Sequence, residues 1–184
     1  FLSKSDYVYI TEEDESCHEQ IKKEPKLQIL KASNLHNNKF IGYFDLLILS
    51  NVLEHLTLPR QQLQHFSRII SEGGILFIEV PCEAKMLKET TKHGRQHVGF
   101  YTVENFKLLI EKQGSFDIID IGRYGQSIKK IIEGEEHDGN YGSNEDGYEI
   151  RAVLKNTRPN LKPLDKNHDQ YDKNKIIENL SHSL

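Results

Sequence analysis

The sequence predicts an α/β fold with neighbouring parallel strands, and three observations in the stretch from Phe44 to Pro81 carry that prediction. Phe44–Leu49 is an apolar run without helical period, which suits a strand buried on both faces. From Val52 to Ile70 apolar residues recur at three- and four-residue spacing (Leu53, Leu56, Leu63, Phe66, Ile69, Ile70), so one helix is expected there, stopped by Gly73-Gly74. Ile75–Val80 is a second apolar run, ended by Pro81. A strand, a crossover helix and a strand within so short a stretch form a βαβ unit, whose strands are expected to run parallel.

The other elements are read in order around this unit. Tyr7–Ile10 is a short β-branched and aromatic strand candidate. The acidic segment after Thr11 caps a helix expected to run to about Lys23, because carboxylates are favoured beside the exposed amides of a helix N-terminus. Pro25 closes that helix, and Leu27–Leu30 is a second strand followed by a turn at Lys31–Asn34. Residues 36–42 read as polar loop, and residues 82–99 as a polar loop with some helix around 85–90. Thr102 is the expected N-cap of a helix over 103–113, with Phe106, Leu109 and Ile110 on one face and Gly114 at its end. Phe116–Ile121 is a strand, residues 133–149 a flexible acidic loop rich in glycine, and Tyr148–Leu154 an alternating last strand.

Composition bounds the function. A chain of 184 residues suits one domain with a core of ordinary size. The formal charge of -4 argues against a general surface for long nucleic acids. No apolar run approaches the ~20 residues that span a bilayer, and no signal-peptide pattern opens the sequence, so a cytoplasmic location without membrane contact is expected. Cys17 and Cys82 fit no metal spacing and are expected to be free thiols.

FDLLILSNVLEHL, a helix, then EGGILFIEVP resembles the second half of the class I S-adenosylmethionine-dependent methyltransferases. HVGFYT, before the 103–113 helix, resembles a segment on the substrate side of members acting on sugars and small metabolites. The resemblance implies a Rossmann-like, three-layer, mostly parallel sheet with an antiparallel last strand. It implies S-adenosylmethionine as cofactor, and a small-molecule or sugar-like acceptor as partner. The resemblance covers about residues 7–155, leaving 156–184 as a polar tail or a linker to an additional domain.

Residue by residue, the resemblance implies the following. Glu12, after the Tyr7–Ile10 strand, would accept two hydrogen bonds from the ribose diol. Ser33 and Asn34 stand where the family commonly has an Asp meeting the adenine. Ser50 and Asn51 end the fourth strand of the family and would line the methionine end of the cofactor. His55 and His97 are the candidate general bases, because imidazole exchanges protons near neutral pH. The run Asn51-x-x-Glu54-His55 also resembles an E-x-x-E-H run that ligates a divalent metal in ubiquinone-type O-methyltransferases and small-RNA 2'-O-methyltransferases. Its spacing puts 51, 54 and 55 on one helical face, but Asn51 lacks the charge of the first Glu, so no metal is expected.

One part of the family pattern is missing. Its cofactor site rests on a first strand and a G-x-G type turn, where the backbone approaches the cofactor without a Cβ in the way. Here Gly73-Gly74 precedes a strand, and Gly139, Gly142 and Gly147 fall in the acidic loop. The sheet is therefore expected to be N-terminally incomplete. The sequence, which begins at Phe1, is read as a fragment expected not to bind S-adenosylmethionine at micromolar affinity alone. The competing expectation is a methyltransferase-like binding or scaffold module that has lost its cofactor site. A nicotinamide-dependent reductase is disfavoured, because neither a dinucleotide fingerprint nor a Tyr-x-x-x-Lys pair occurs in a suitable context.

Overall fold

A computed structural model describes residues 7–12, 14–82, 97–133, 139 and 141–159. The chain divides into two units, one up to Phe40 and one from Ile41. In the first unit, strand β1 (Val8–Ile10), helix α1 (Glu15–Ile21) and strand β2 (Leu27–Ile29) form a small βαβ unit. Its strands pair in parallel from Val8↔Leu27 to Ile10↔Ile29. Asp14 caps α1 by accepting from the Ser16 amide at 2.9 Å. Two short 3-10 turns, Ala32–His36 and Asn38–Phe40, replace the expected loop.

The second unit holds the larger sheet. Strand β3 (Phe44–Ser50) is followed by a 3-10 turn (Leu53–His55), helix α2 (Pro59–Ile69) and strand β4 (Ile70–Pro81). Helix α3 (Val103–Gln113), strand β5 (Phe116–Ser127), helix α4 (Ile128–Ile132) and strand β6 (Gly147–Asn156) complete it. The strand order is β3-β4-β6-β5, with β3 and β4 parallel and β6 antiparallel to both its neighbours. The expected mixed sheet, parallel but for its last strand, is therefore present. One row of side chains across it (Leu49, Leu76, Ile78, Val80, Ala152, Leu154) is buried. The alternate row ends in Ser50, Glu79 and Arg151, which stand side by side in register.

Several features differ from their expected form, and three of them have a local cause. Helix α2 begins at Pro59, not Val52. A proline inside a helix removes a backbone hydrogen bond and strikes the carbonyl one turn back, so the helical run starts on it instead. Nor does Gly73-Gly74 cap this helix, which ends at Ile69. The pair sits where the β3–β4 register jumps from Phe44↔Ile70 to Leu46↔Ile75, with Gly73 at φ 70°. Such a bulge needs the conformations that glycine reaches without strain. Part of the acidic loop is tied down: Asn144 Nδ2 donates to the Gly125 carbonyl at 2.9 Å, and Asp146 accepts from Ser127 Oγ at 2.6 Å. That contact, with lesser help from the Lys129 amide and Arg123, holds the Asp146 carboxyl below its ordinary range. The expected helical turn around 85–90 and the tail beyond Pro159 lie outside the described residues.

Helix α3 matches its expected bounds. Thr102 and Asn105 exchange hydrogen bonds in a capping box, and Gly114 ends the helix at φ 74°. A further staple joins the end of β6 to the end of α2. Asn156 is 1% exposed, and its amide donates to the carbonyls of Ser67 and Ile70, both at 2.9 Å. Asn156→Ala would leave buried carbonyls without that donor. We expect it to lower unfolding free energy by about 2–3 kcal/mol in chemical denaturation.

Candidate functional site at the carboxyl end of strand β3

The site begins where β3 ends. Asn51 leaves the strand at φ 51°, a left-handed conformation that Asn tolerates better than most side chains. Its amide donates to the Glu79 carbonyl at 3.0 Å. The following 3-10 turn buries Leu53 and Glu54 and leaves His55 exposed. Residues 51, 54 and 55 therefore do not share a helical face, contrary to the spacing argument, because Pro59 delays the helix.

The segment after the undescribed residues 83–96 closes on this turn. The amides of Val98 and Gly99 both donate to the Glu54 carbonyl, each at 2.9 Å. That pair of hydrogen bonds holds the adjoining His97 beside His55, ring edge to ring face, with centroids 4.6 Å apart. The Glu54 carboxylate lies 3.8 Å from His55 Nε2. One ligand atom from each of Glu54, His55 and His97 falls within 4.8 Å of the others. Two residues separated widely in sequence, His55 and His97, are thus brought together.

Tyr101 follows in the same segment, near enough to Glu54 to feel its charge. The residue is 6% exposed, and its hydroxyl has no hydrogen-bond partner among the described residues. Burial, and after it the charge of Glu54, pushes the phenol up to about 12, so it stays protonated at neutral pH. A Cβ at Gly99 would lie 2.7 Å from this hydroxyl, so glycine is what admits the ring. Tyr101→Phe is expected to change thermal stability by less than about 1 kcal/mol, since it deletes no bond among those residues. A loss of activity in that variant at unchanged stability would place the hydroxyl on a bound molecule.

The remaining sequence candidates sit at strand ends. Glu12 follows β1, and its Oε1 accepts from the Asp14 amide at 2.8 Å, in the turn that starts α1. Ser33 and Asn34 follow β2 and are exposed in the first 3-10 turn. Ser50 and Asn51 are exposed at the end of β3, with Ser50 Oγ donating to Glu79 Oε1 at 3.0 Å.

Sequence reasoning missed a charged group behind that last pair. Arg151 Nε meets Glu79 Oε2 at 2.6 Å and its NH2 meets Glu149 Oε2 at 3.0 Å. A third nitrogen donates to the Tyr141 carbonyl at 2.7 Å, and the guanidinium lies 5.1 Å from the Tyr124 ring centroid. Burial, then the charge of Glu79, raises the Glu149 carboxyl above its ordinary range. The available signal was the acid in ILFIEVP and the acid and base, two residues apart, in YEIRAVL, each within a mostly apolar strand.

A parallel βαβ core, an antiparallel last strand and polar side chains gathered where the parallel strands end define a Rossmann-like α/β protein of the kind that binds ligands at that edge. The sequence profile of a family described as "Methyltransferase domain" matches residues 7–119, and the chain belongs to that family, within the class of S-adenosylmethionine-dependent methyltransferases. Solved structures share the fold. A SAM-dependent methyltransferase from Thermotoga maritima is 16% identical, with 82% of this chain and 73% of that one covered and a TM-score of 0.59. Another from Archaeoglobus fulgidus is 15% identical, covering 80% and 75%, at a TM-score of 0.55. The N-methyltransferase NodS from Bradyrhizobium japonicum, solved with S-adenosyl-L-homocysteine, is 13% identical, covering 83% and 67%, at 0.51. None of the curated proteins compared with the chain matches it.

Proposed function

We propose that the chain is the acceptor-side part of an enzyme that methylates a hydroxyl of a small-molecule or sugar-like acceptor, with the glycine-rich turn supplied by polypeptide outside these 184 residues. The observation that carries this reading is the convergence of His55 and His97 beside Glu54, next to the strand end where ligands of such sheets bind. S-adenosylmethionine, when bound, supplies a methyl group activated by a positively charged sulfur. Ser50 and Asn51 offer exposed polar groups to it at the end of β3; the ribose and adenine roles of Glu12, Ser33 and Asn34 rest on the family resemblance. Positioning accounts for most of the acceleration in such a transfer. A hydroxyl is a weak nucleophile until its proton leaves, and an imidazole of His55 or His97 takes that proton.

Calorimetry of the intact protein against S-adenosylhomocysteine tests the reading. Binding at micromolar affinity is expected, with much weaker binding to the 184 residues alone. An intact protein that shows no binding would leave a scaffold module instead.

A second reading is favoured by one observation, the three ligand atoms within 4.8 Å. One carboxylate and two imidazoles suit a divalent ion such as manganese or zinc, which would lower the pKa of an acceptor hydroxyl. Glu54, His55 and His97 would hold it. A histidine that binds an ion through a given nitrogen cannot use that nitrogen as a base, so the two readings separate. Manganese titrated into the intact protein and followed by its paramagnetic resonance decides between them.

A further inference from the structure

We propose that Glu79 is a positioning residue for the cofactor edge, holding Ser50 and Asn51 in the arrangement that meets the ligand. The inference rests on the reading that those two residues face S-adenosylmethionine. Glu79 grips both of them: its side chain accepts from Ser50 Oγ at 3.0 Å and its carbonyl from the Asn51 amide at 3.0 Å. The second grip matters because Asn51 sits at φ 51°, where the chain turns from β3 towards Glu54 and His55.

Glu79 is itself immobilised from the far side. Its other oxygen meets Arg151 Nε at 2.6 Å, and Arg151 is anchored by Glu149 and by the Tyr141 carbonyl. The side chains of Glu79 and Arg151 are 14% and 10% exposed, so the contact is shielded from water and little weakened by solvent. A carboxylate fixed by a guanidinium on one oxygen presents the other in one place. The serine hydroxyl at the ligand edge inherits that fixed direction. A short exposed side chain such as Ser50 would otherwise sample its rotamers, and an ordered one binds with less entropy lost.

Two roles for Glu79 make opposite predictions. A positioning role depends on reach, and a purely structural role as the ion partner of Arg151 depends on charge. Glu79→Gln keeps the reach and loses the charge. Its amide can turn its oxygen to Arg151 and its nitrogen to Ser50, since a serine hydroxyl accepts as well as donates. Glu79→Asp keeps the charge and withdraws the carboxyl by one methylene.

The test is calorimetric affinity of the intact protein for S-adenosylhomocysteine, with thermal melting run in parallel on each variant. Glu79→Gln is expected within about threefold of the unaltered protein, and Glu79→Asp about tenfold weaker, the scale of one lost hydrogen bond. Ser50→Ala should weaken binding similarly, and Ser50→Ala combined with Glu79→Asp should be no weaker than the worse single change. The reverse order, with Asp binding normally and Gln weakened, would overturn the positioning role. So would variants that both bind as the unaltered protein does. Absence of binding by the unaltered intact protein is a different result: it removes the cofactor-edge reading, and the positioning role with it.

Discussion

His97→Ala in the intact protein is expected to lower kcat by about 10²–10⁴-fold, the span of a general base on a hydroxyl acceptor. His55→Ala should fall in the same range if His55 is the base, and by less if it only supports His97. The rings touch edge to face at 4.6 Å, so removing one also frees the other to move. The affinity for S-adenosylhomocysteine should stay within about threefold in both variants, because neither imidazole belongs to the proposed cofactor set. That split between kcat and cofactor affinity is what identifies the pair as acting on the acceptor. Equal losses in both quantities would instead mean that the 3-10 turn at Leu53–His55 had shifted.

Gly147→Ala is expected to be the most damaging single methyl group in the described fold. A Cβ there would stand 2.2 Å from the Tyr124 carbonyl oxygen and 2.5 Å from its carbon. These are backbone atoms of the paired strand β5, not the end of a flexible side chain. The two strands are joined in register on both sides of the clash, at Tyr124↔Glu149 and Ser127↔Gly147. Arg123 Nε donates to the Gly147 carbonyl at 2.9 Å, so a shift of Gly147 breaks that contact as well. We expect a loss of about 3 kcal/mol or more in denaturant unfolding, or failure to accumulate as folded protein. Gly122→Ala is the matched control. The three atoms nearest its Cβ would all belong to the Tyr124 side chain, the closest at 3.3 Å, and a side chain gives way more readily than backbone. A mild Gly147→Ala would mean that β5 and β6 are farther apart there.

The sequence made local structure legible where one short-range signal decides it. Thr102, Asn105 and Gly114 carry the two ends of α3 in their own chemistry. Apolar runs without period marked β3 and β4, but only β4 is largely buried: β3 is an outer strand of the described sheet, half-buried along most of its length with Ile48 exposed, so its expected burial on both faces is not met. Reading stopped at features set by partners distant in sequence. Nothing near Phe116–Ile121 announces that the strand continues to Ser127; its pairing with β6 extends it. The Glu79–Arg151 contact joins residues 72 apart and was visible only as charges within two mostly apolar strands. In the candidate site, His55 and His97 were legible as residue types, while their meeting depends on two backbone amides turning to the Glu54 carbonyl. Pro59 was the local signal that the periodic spacing from Val52 obscured: hydrophobic periodicity does not register a missing backbone donor.

The most direct measurement is transfer of a labelled methyl group from S-adenosylmethionine by the intact protein to a panel of small hydroxylated and amino acceptors, with the product atom identified by mass spectrometry. The account predicts an O-methylated product, formed far more slowly by His97→Ala. Methyl transfer only to nitrogen, or the same rate without His97 and His55, would contradict it.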